Sequence, residues 1–166
     1  MNLVSARRAQ GFTLIELMVV VVIATILLGI AVPSYISQMR QSRRTEAKTA
    51  LLDLAGREER YFSTGANAAG PAYSQTANDL GYTGFGLATP IGNGYYYLTV
   101  CAPANGNCVA NLNMPNPPPA PSYTIVAVPV PGQSQVNDTQ CATLAVDSVG
   151  QQWATGTSGA QYCWAN

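Results

Sequence analysis

The sequence predicts an α+β fold in which one long N-terminal helix packs on a small antiparallel sheet. An apolar run covers residues 12–32, and a helical pattern continues from there to about residue 62. Segments rich in β-branched and aromatic residues follow between residues 95 and 155. A sheet laid on the amphipathic half of the helix would bury the apolar faces of both. We therefore expect a helix over residues 12–62 and a head over residues 63–166.

The apolar run, FTLIELMVVVVIATILLGIAV, has 21 residues and a single charge, Glu16. A helix of this length is about 31 Å long and can cross a bilayer. A carboxylate in hydrocarbon costs at least ~2.5–3.5 kcal/mol, so Glu16 should have a partner or a function. Cleavage between Gly11 and Phe12 would create an α-amine four residues before Glu16, whereas the next basic side chain is Arg40. The junction is therefore a candidate processing site.

This junction resembles the N-terminus of type IV pilins, in which a basic leader ending in Gly precedes FTLIEL. The leader here is MNLVSARRAQG, residues 1–11. The resemblance implies that a membrane prepilin peptidase cuts after Gly11 and methylates the new N-terminus at Phe12. It also implies that Glu16 guides assembly into a fibre. Pairing of Glu16 with a neighbouring subunit and pairing within its own chain both stay open.

Other export signals fit this segment less well. A secretory signal peptide has an apolar core of about 7–15 residues followed by a small-residue cleavage site. The core here is longer, and Ile30-Ala31-Val32-Pro33 is a poor site of that kind. The pair Arg7-Arg8 could belong to a twin-Arg signal, but Glu16 inside the core argues against that alternative.

The helical pattern continues beyond the apolar run as an amphipathic segment. We expect Pro33 to kink the helix or break it locally, because proline lacks an amide donor and clashes with the preceding turn. The stretch Arg43–Thr64 resembles the amphipathic helix of PilE-like type IV pilins, often described as minor pilins. Its charged face is expected to be solvated, with short-range pairs such as Arg43 with Glu46 and Asp53 with Arg57. In a fibre, the same face could pair with neighbouring subunits.

The head is expected to begin with a loop region and to continue as a sheet. Residues 63–94 are rich in Gly, Ala, Asn and Ser, with a short helical turn near residues 77–80. Strands are predicted at residues 95–100, 122–130, 142–146 and 151–155, with a turn at residues 147–150. The proline-rich stretch 115–121 should form an extended, exposed loop.

Four cysteines occur in the head: Cys101, Cys108, Cys141 and Cys163. An even number in an exported domain favours disulfides over metal ligation, and three connectivities are possible. We favour Cys101–Cys108 and Cys141–Cys163, and the second resembles the C-terminal disulfide loop of type IV pilins. No metal is expected, because the chain has no histidine and no C-x-x-C pair.

Charge in the head is scarce and indicates what the protein does not do. After Arg60 the chain has no Lys or Arg, and its acids there are Asp79, Asp138 and Asp147. The head thus has no basic patch, so nucleic-acid binding is not expected. With no histidine, phosphate loop or close carboxylate pair, neither enzyme activity nor a cofactor is expected.

These features predict a structural subunit of a bacterial type IV pilus, as the resemblance implies. The precursor would be a single-pass protein of the inner membrane, and the mature chain would join an extracellular pilus used for adhesion or twitching motility. Its partners would be homologous pilin subunits, the prepilin peptidase and the inner-membrane assembly machinery. A type II secretion pseudopilin and a DNA-receptor pilin for competence are the alternatives. A calcium-rich head with few cysteines would favour the first alternative, and a basic head would favour the second. The sequence has neither feature.

Overall fold

The computed structural model describes residues 11–65, 72–82, 84, 86, 89–101 and 121–165. The chain divides into two units, Met1–Met39 and Arg40–Asn166, which are considered separately below. Helix α1 spans Leu14–Thr64, and a short helix α2 spans Gly159–Ala165. Two 3₁₀ helices cover Asn78–Leu80 and Ser134–Asn137.

Helix α1 begins and ends two residues later than the sequence predicted. It contains 51 residues and includes Pro33. The expected local break at Pro33 was wrong, because residues on both sides of it are helical. Proline removes one amide donor and crowds the carbonyl four residues earlier. That earlier residue is Gly29, which has open space around it, and the rest of a long helix offsets one lost hydrogen bond.

The sheet is an antiparallel meander in which the spatial order follows the chain order, β1 to β5. Its strands are β1 (Pro90–Ile91), β2 (Tyr96–Cys101), β3 (Thr124–Pro129), β4 (Thr143–Asp147) and β5 (Gln152–Thr155). The four predicted strands are confirmed. The sequence missed β1, which has only two residues and begins with proline, and it missed α2, which is too short to show a helical pattern.

The register of the sheet places its apolar residues in line on one face. Leu98 lies opposite Ala127, and Ala127 lies opposite Leu144. All three side chains are fully buried. They form one core with Leu51 and Leu54 of α1. The predicted packing of an amphipathic helix on an antiparallel sheet is therefore confirmed within the unit Arg40–Asn166.

The opposite face of the sheet carries a second, smaller apolar cluster. Cys101, Val126 and Ala145 are buried there, and Val128 and Trp153 pack against them. These positions alternate along the strands with those that face α1, as the period of two requires. The sheet thus has apolar residues on both faces.

The predicted turn between β4 and β5 is confirmed. Asp147 Oδ1 accepts hydrogen bonds from the backbone N–H groups of Val149 (3.0 Å) and Gln151 (2.8 Å). Gly150 has a φ of 78°, which glycine adopts without strain. This hairpin positions β5, which is followed by the C-terminal helix that carries Cys163.

Candidate functional site

The candidate processing segment precedes α1. Gly11, Phe12 and Thr13 have no regular secondary structure, and the Phe12 side chain is 87% exposed. A Cβ atom added to Gly11 would meet no other atom within 4 Å. Nothing in this chain's described surroundings therefore requires glycine at residue 11. A requirement for glycine there would come from a partner that binds the segment closely.

Glu16 belongs to a reciprocal capping arrangement with Thr13. The Glu16 Oε2 atom accepts hydrogen bonds from the backbone N–H and from the hydroxyl of Thr13, both at 3.1 Å. In return, the backbone N–H of Glu16 donates to the Thr13 hydroxyl at 3.3 Å. This is a capping box, which satisfies amide groups that the first turn of a helix leaves unpaired. A carboxylate at a helix N-terminus is also favoured by the helix dipole.

Sequence analysis overlooked this capping box, although its signal was present. The pattern Thr-x-x-Glu directly before an apolar run is a recognised sign of a helix start. The structure gives Glu16 hydrogen bonds within its own chain that need no cleavage at Gly11.

The first part of α1 presents an almost wholly apolar exposed surface. An 18-residue window within α1 has a mean hydropathy of 2.8, and none of it is buried. By length and composition alone, the helix could cross a membrane. Thr25, a polar residue within this stretch, donates its hydroxyl to the carbonyls of Val21 and Val22. An apolar surface of this size marks contact with lipid or with other protein.

The second part of α1 is tied to the connection between β3 and β4 by a buried ion pair. Arg44 donates two hydrogen bonds of 2.7 Å to the two carboxylate oxygens of Asp138. The side chains of Arg44 and Asp138 are only 4% and 1% exposed. Gln135 Nε2 donates to Asp138 Oδ2 and to the Tyr96 hydroxyl, both at 2.9 Å. The hydrogen bonds that Arg44 donates to Asp138 raise its pKa, against the opposing effect of burial, so this arginine stays charged.

The C-terminal disulfide lies beside this ion pair. Cys141 and Cys163 are bonded, with their Cα atoms 5.7 Å apart, as the sequence predicted. The backbone N–H of Cys141 donates to Asp138 Oδ1 at 3.3 Å. Cys101 also takes part in a disulfide. Its expected partner, Cys108, lies outside the described residues, so the Cys101–Cys108 pairing stays a prediction.

The expected pair between Arg43 and Glu46 was wrong. Glu46 instead accepts the backbone N–H of Asn93 at 2.7 Å and its side-chain amide at 3.1 Å. Arg43 stacks over the Tyr95 ring at 3.8 Å and donates to Ser134 at 2.7 Å. The turn before β2 brings Asn93 and Tyr95 to the helix, and the 3₁₀ helix Ser134–Asn137 brings Ser134. The turn before β2 also requires Gly92, because a Cβ there would lie 1.7 Å from Glu46 Oε1.

Two further basic side chains of α1 also bind the head. Arg57 forms the expected pair with Asp53 at 2.9 Å, donates to the Leu80 carbonyl at 3.0 Å, and lies over the Tyr82 ring. Lys48 donates to the carbonyl of Trp164 at 3.1 Å, and burial lowers its pKa. The charged face was expected to be solvated, but much of it is used to hold the head on α1.

The described part of the chain offers no metal centre. None of its His, Cys, Asp and Glu side chains form a group of three or more that could hold a metal ion. The candidate site is therefore the N-terminal segment around Gly11, Phe12 and Glu16, together with the exposed apolar part of α1.

Comparison with known proteins gives two family matches. Residues 33–145 match the family described as "Type IV minor pilin ComP, DNA uptake sequence receptor". Residues 6–32 match the prokaryotic N-terminal methylation motif, which contains Gly11, Phe12 and Glu16. The two matches adjoin at Pro33 and together cover residues 6–145.

Two individual proteins are also similar to this chain. The chain is 40% identical over 101 residues to the type IV major pilin protein PilA of Myxococcus xanthus (strain DK1622). That alignment covers 61% of this chain but only 40% of the relative. A solved type IV pilin from Shewanella oneidensis is 20% identical, with a TM-score of 0.40 over 68% of this chain and 89% of that one.

The minor-pilin match covers more than half of the chain, and the methylation motif accounts for the segment before it. Precursors of such proteins are anchored in the membrane by an apolar N-terminal helix, and the mature chains are assembled into an extracellular pilus. The chain belongs to the type IV pilin family.

Proposed function

We propose that this chain is a structural subunit of a bacterial type IV pilus. The observation that carries the proposal is the exposed apolar part of α1, which directly follows the Gly11–Phe12 junction inside a methylation motif. Residues 12–32 would anchor the precursor in the inner membrane and then pack against the same segment of other subunits. One apolar surface would thus serve in two successive environments.

The leader, residues 1–11, would be removed by a prepilin peptidase, and Phe12 would receive a methyl group on its new amine. Other partners would be homologous pilin subunits and the inner-membrane assembly machinery. The chain would have a structural role and no enzymatic one. Adhesion and twitching motility are the activities that such a pilus would support.

Glu16 would contribute to assembly after cleavage. In the uncleaved chain its carboxylate is held by Thr13 at the start of α1. Removal of the leader would place a cationic amine on Phe12, within reach of this carboxylate or of one on a neighbouring subunit. A cation close to Glu16 would lower the cost of burying its charge among apolar helices.

A Gly11→Val variant tests the processing step. We expect uncleaved precursor to accumulate in the membrane, because a peptidase that fits the residue before the scissile bond closely would not accept valine. The same change at Ala9, in the leader but away from the bond, is the matched control and should be processed normally. Cleavage of the Gly11→Val precursor at the wild-type rate would contradict the proposal.

A DNA-receptor function is the second candidate, because the matched family carries that description. Non-specific affinity for DNA depends on Lys and Arg that are available to phosphates. Six basic residues lie between Arg40 and the C-terminus. Four of them already bind groups of the head, namely Arg43, Arg44, Lys48 and Arg57. Few cations are left to form a basic surface.

A mobility-shift titration with the full mature chain in non-ionic detergent separates the two functions. At ~0.15 M salt we expect weak binding to duplex DNA or none. Tight, salt-sensitive binding that is lost on changing Arg40 and Arg60 to Gln would favour the DNA-receptor function. The pair Arg40 and Arg60 is chosen because the described head contacts engage the other four basic residues.

A further inference from the structure

Glu58 is the one glutamate of the described residues that is completely buried. It lies on α1 with 0% exposure. Its Oε2 atom accepts the backbone N–H of Ser74 at 2.9 Å. Its Oε1 atom is also buried and has no hydrogen-bond partner within the described part of the chain. Glu58 therefore joins α1 to the segment of residues 72–82 through a single hydrogen bond.

The charged groups around Glu58 do not balance a negative charge. Glu59 follows it on α1, and Asp79 faces it from the 3₁₀ helix Asn78–Leu80. The phenols of Tyr73 and Tyr123 also face it, and both donate to Glu59. No ion pair joins Glu58 to a cation among the described residues.

The basic side chains nearby in sequence are already used elsewhere. Arg57 binds Asp53 and the carbonyls of Leu80 and Gly81. Arg60 donates its Nε–H group to the carbonyl of Gly56. The neutral acid therefore suits this position better than the carboxylate, since an unpaired charge is costly in a buried site.

We propose that Glu58 is a proton-controlled latch between α1 and residues 72–82. As a neutral acid it holds Ser74, with the proton on Oε1, since Oε2 accepts the Ser74 N–H group. When the proton leaves to solvent, the buried site gains an uncompensated charge close to Glu59 and Asp79. The segment that contains Ser74 then loosens so that water can reach the carboxylate.

The pH range follows from the surroundings of Glu58. Burial is the largest effect, the hydrogen bond from Ser74 opposes it, and Glu59 and Asp79 add to it, which together raise the pKa of Glu58 to about 7. In the unfolded chain the group titrates near 4.5. The folded state therefore holds an extra proton between these values, and its stability falls as pH rises through that window. The folded-to-unfolded ratio would drop by up to ~300-fold across it.

Carbon-13 labelling of the glutamates tests the latch directly in the full mature chain in non-ionic detergent. The mature sequence has only four glutamates: Glu16, Glu46, Glu58 and Glu59. We expect one carboxyl resonance to titrate near pH 7 and to be missing from the Glu58→Gln variant. The Ser74 amide resonance should shift with the same midpoint. Titration of the Glu58 carboxyl group near its ordinary pKa value would overturn the proposal.

Thermal unfolding provides a second, independent measurement. The wild-type Tm should fall between pH 5 and pH 8, whereas Glu58→Gln, which is neutral at every pH, should remove this fall. Glu59→Gln is the matched control, because it removes the adjacent exposed carboxylate and should keep the transition at a lower midpoint. A Glu58→Gln variant with the wild-type pH dependence would overturn the proposal. If that variant does not fold, the carbon-13 titration of the wild-type chain, followed together with the Ser74 amide resonance, still tests the proposal.

Discussion

The two parts of α1 use the same secondary structure for opposite purposes. From Leu14 to Ile36 the large apolar side chains are exposed, and the single charge is capped locally by Thr13. From Arg40 to Thr64 the apolar side chains Leu51 and Leu54 are fully buried, and most of the charges bind the head. The second part has its partners within the chain, whereas the first part requires partners outside it. One helix can therefore contribute to the core of the head and, as we propose, also serve as an assembly surface.

The largest loss of stability is expected when the ion pair that holds the second part of α1 to the head is removed. Arg44→Ala removes the partner of Asp138 and leaves a carboxylate buried without a cation, which costs about 3–5 kcal/mol of unfolding free energy. Denaturant unfolding of the full mature chain in non-ionic detergent measures it. Arg60→Ala is the control on the same helix and should cost less than about 0.5 kcal/mol, because its side chain is exposed. A loss for Arg44→Ala no larger than for Arg60→Ala would contradict the role of the ion pair.

The next largest loss of stability is expected for a Leu→Ala substitution in the second part of α1, compared with the same substitution in the first part. Leu51→Ala empties a fully buried site and should cost about 2–5 kcal/mol of unfolding free energy. Leu28→Ala changes a side chain that is 58% exposed in the single chain, so the unfolding free energy should hardly change. In sheared pili, however, the amount of the Leu28→Ala chain should fall, because we propose that this surface packs between subunits. Equal unfolding losses for both variants would remove the distinction between the two parts of α1.

The smallest effect concerns the start of α1. Thr13→Ala removes the cap that holds Glu16 and should weaken the first helical turn by about 1 kcal/mol. Amide hydrogen exchange at the first turn would show it as faster exchange there. Thr25→Ala is the control, because the Thr25 hydroxyl only donates to carbonyls of its own helix. Similar changes in exchange at residues 14–17 in both variants would show that Thr13 has no capping role.

Local patterns in the sequence were enough to predict much of the fold. The 3.6-residue pattern around Leu51 and Leu54 predicted the buried face of the helix, and the β-branched and aromatic residues of β2 to β4 predicted the strands. The turn at Asp147 and the disulfide Cys141–Cys163 were also predictable, the second through its resemblance to the family. Short elements such as β1 and α2 were not, because two to seven residues hold too little periodicity to read.

Long-range polar contacts could not be predicted. Glu46 has Arg43 three residues away, but it binds Asn93, 47 residues along the chain. Glu46 can bind Asn93 because the turn before β2 lies next to the helix, and only the folded sheet determines the position of that turn. The same holds for Arg44 with Asp138 and for Glu58 with Ser74. Sequence spacing shows which charges are neighbours on a helix, whereas tertiary structure decides which of them pair.

Mass spectrometry of the N-terminal peptide from pili sheared off cells that make this protein decides whether the chain is processed and assembled as a pilin. We predict a mature chain that begins at Phe12 with a methylated amine and that forms part of the fibre. A chain that begins after Ala31 would contradict it, because the apolar part of α1 would then have been removed as an ordinary signal peptide. Absence of the chain from sheared fibres, with cleaved protein present in the cells, would contradict its role as a fibre subunit.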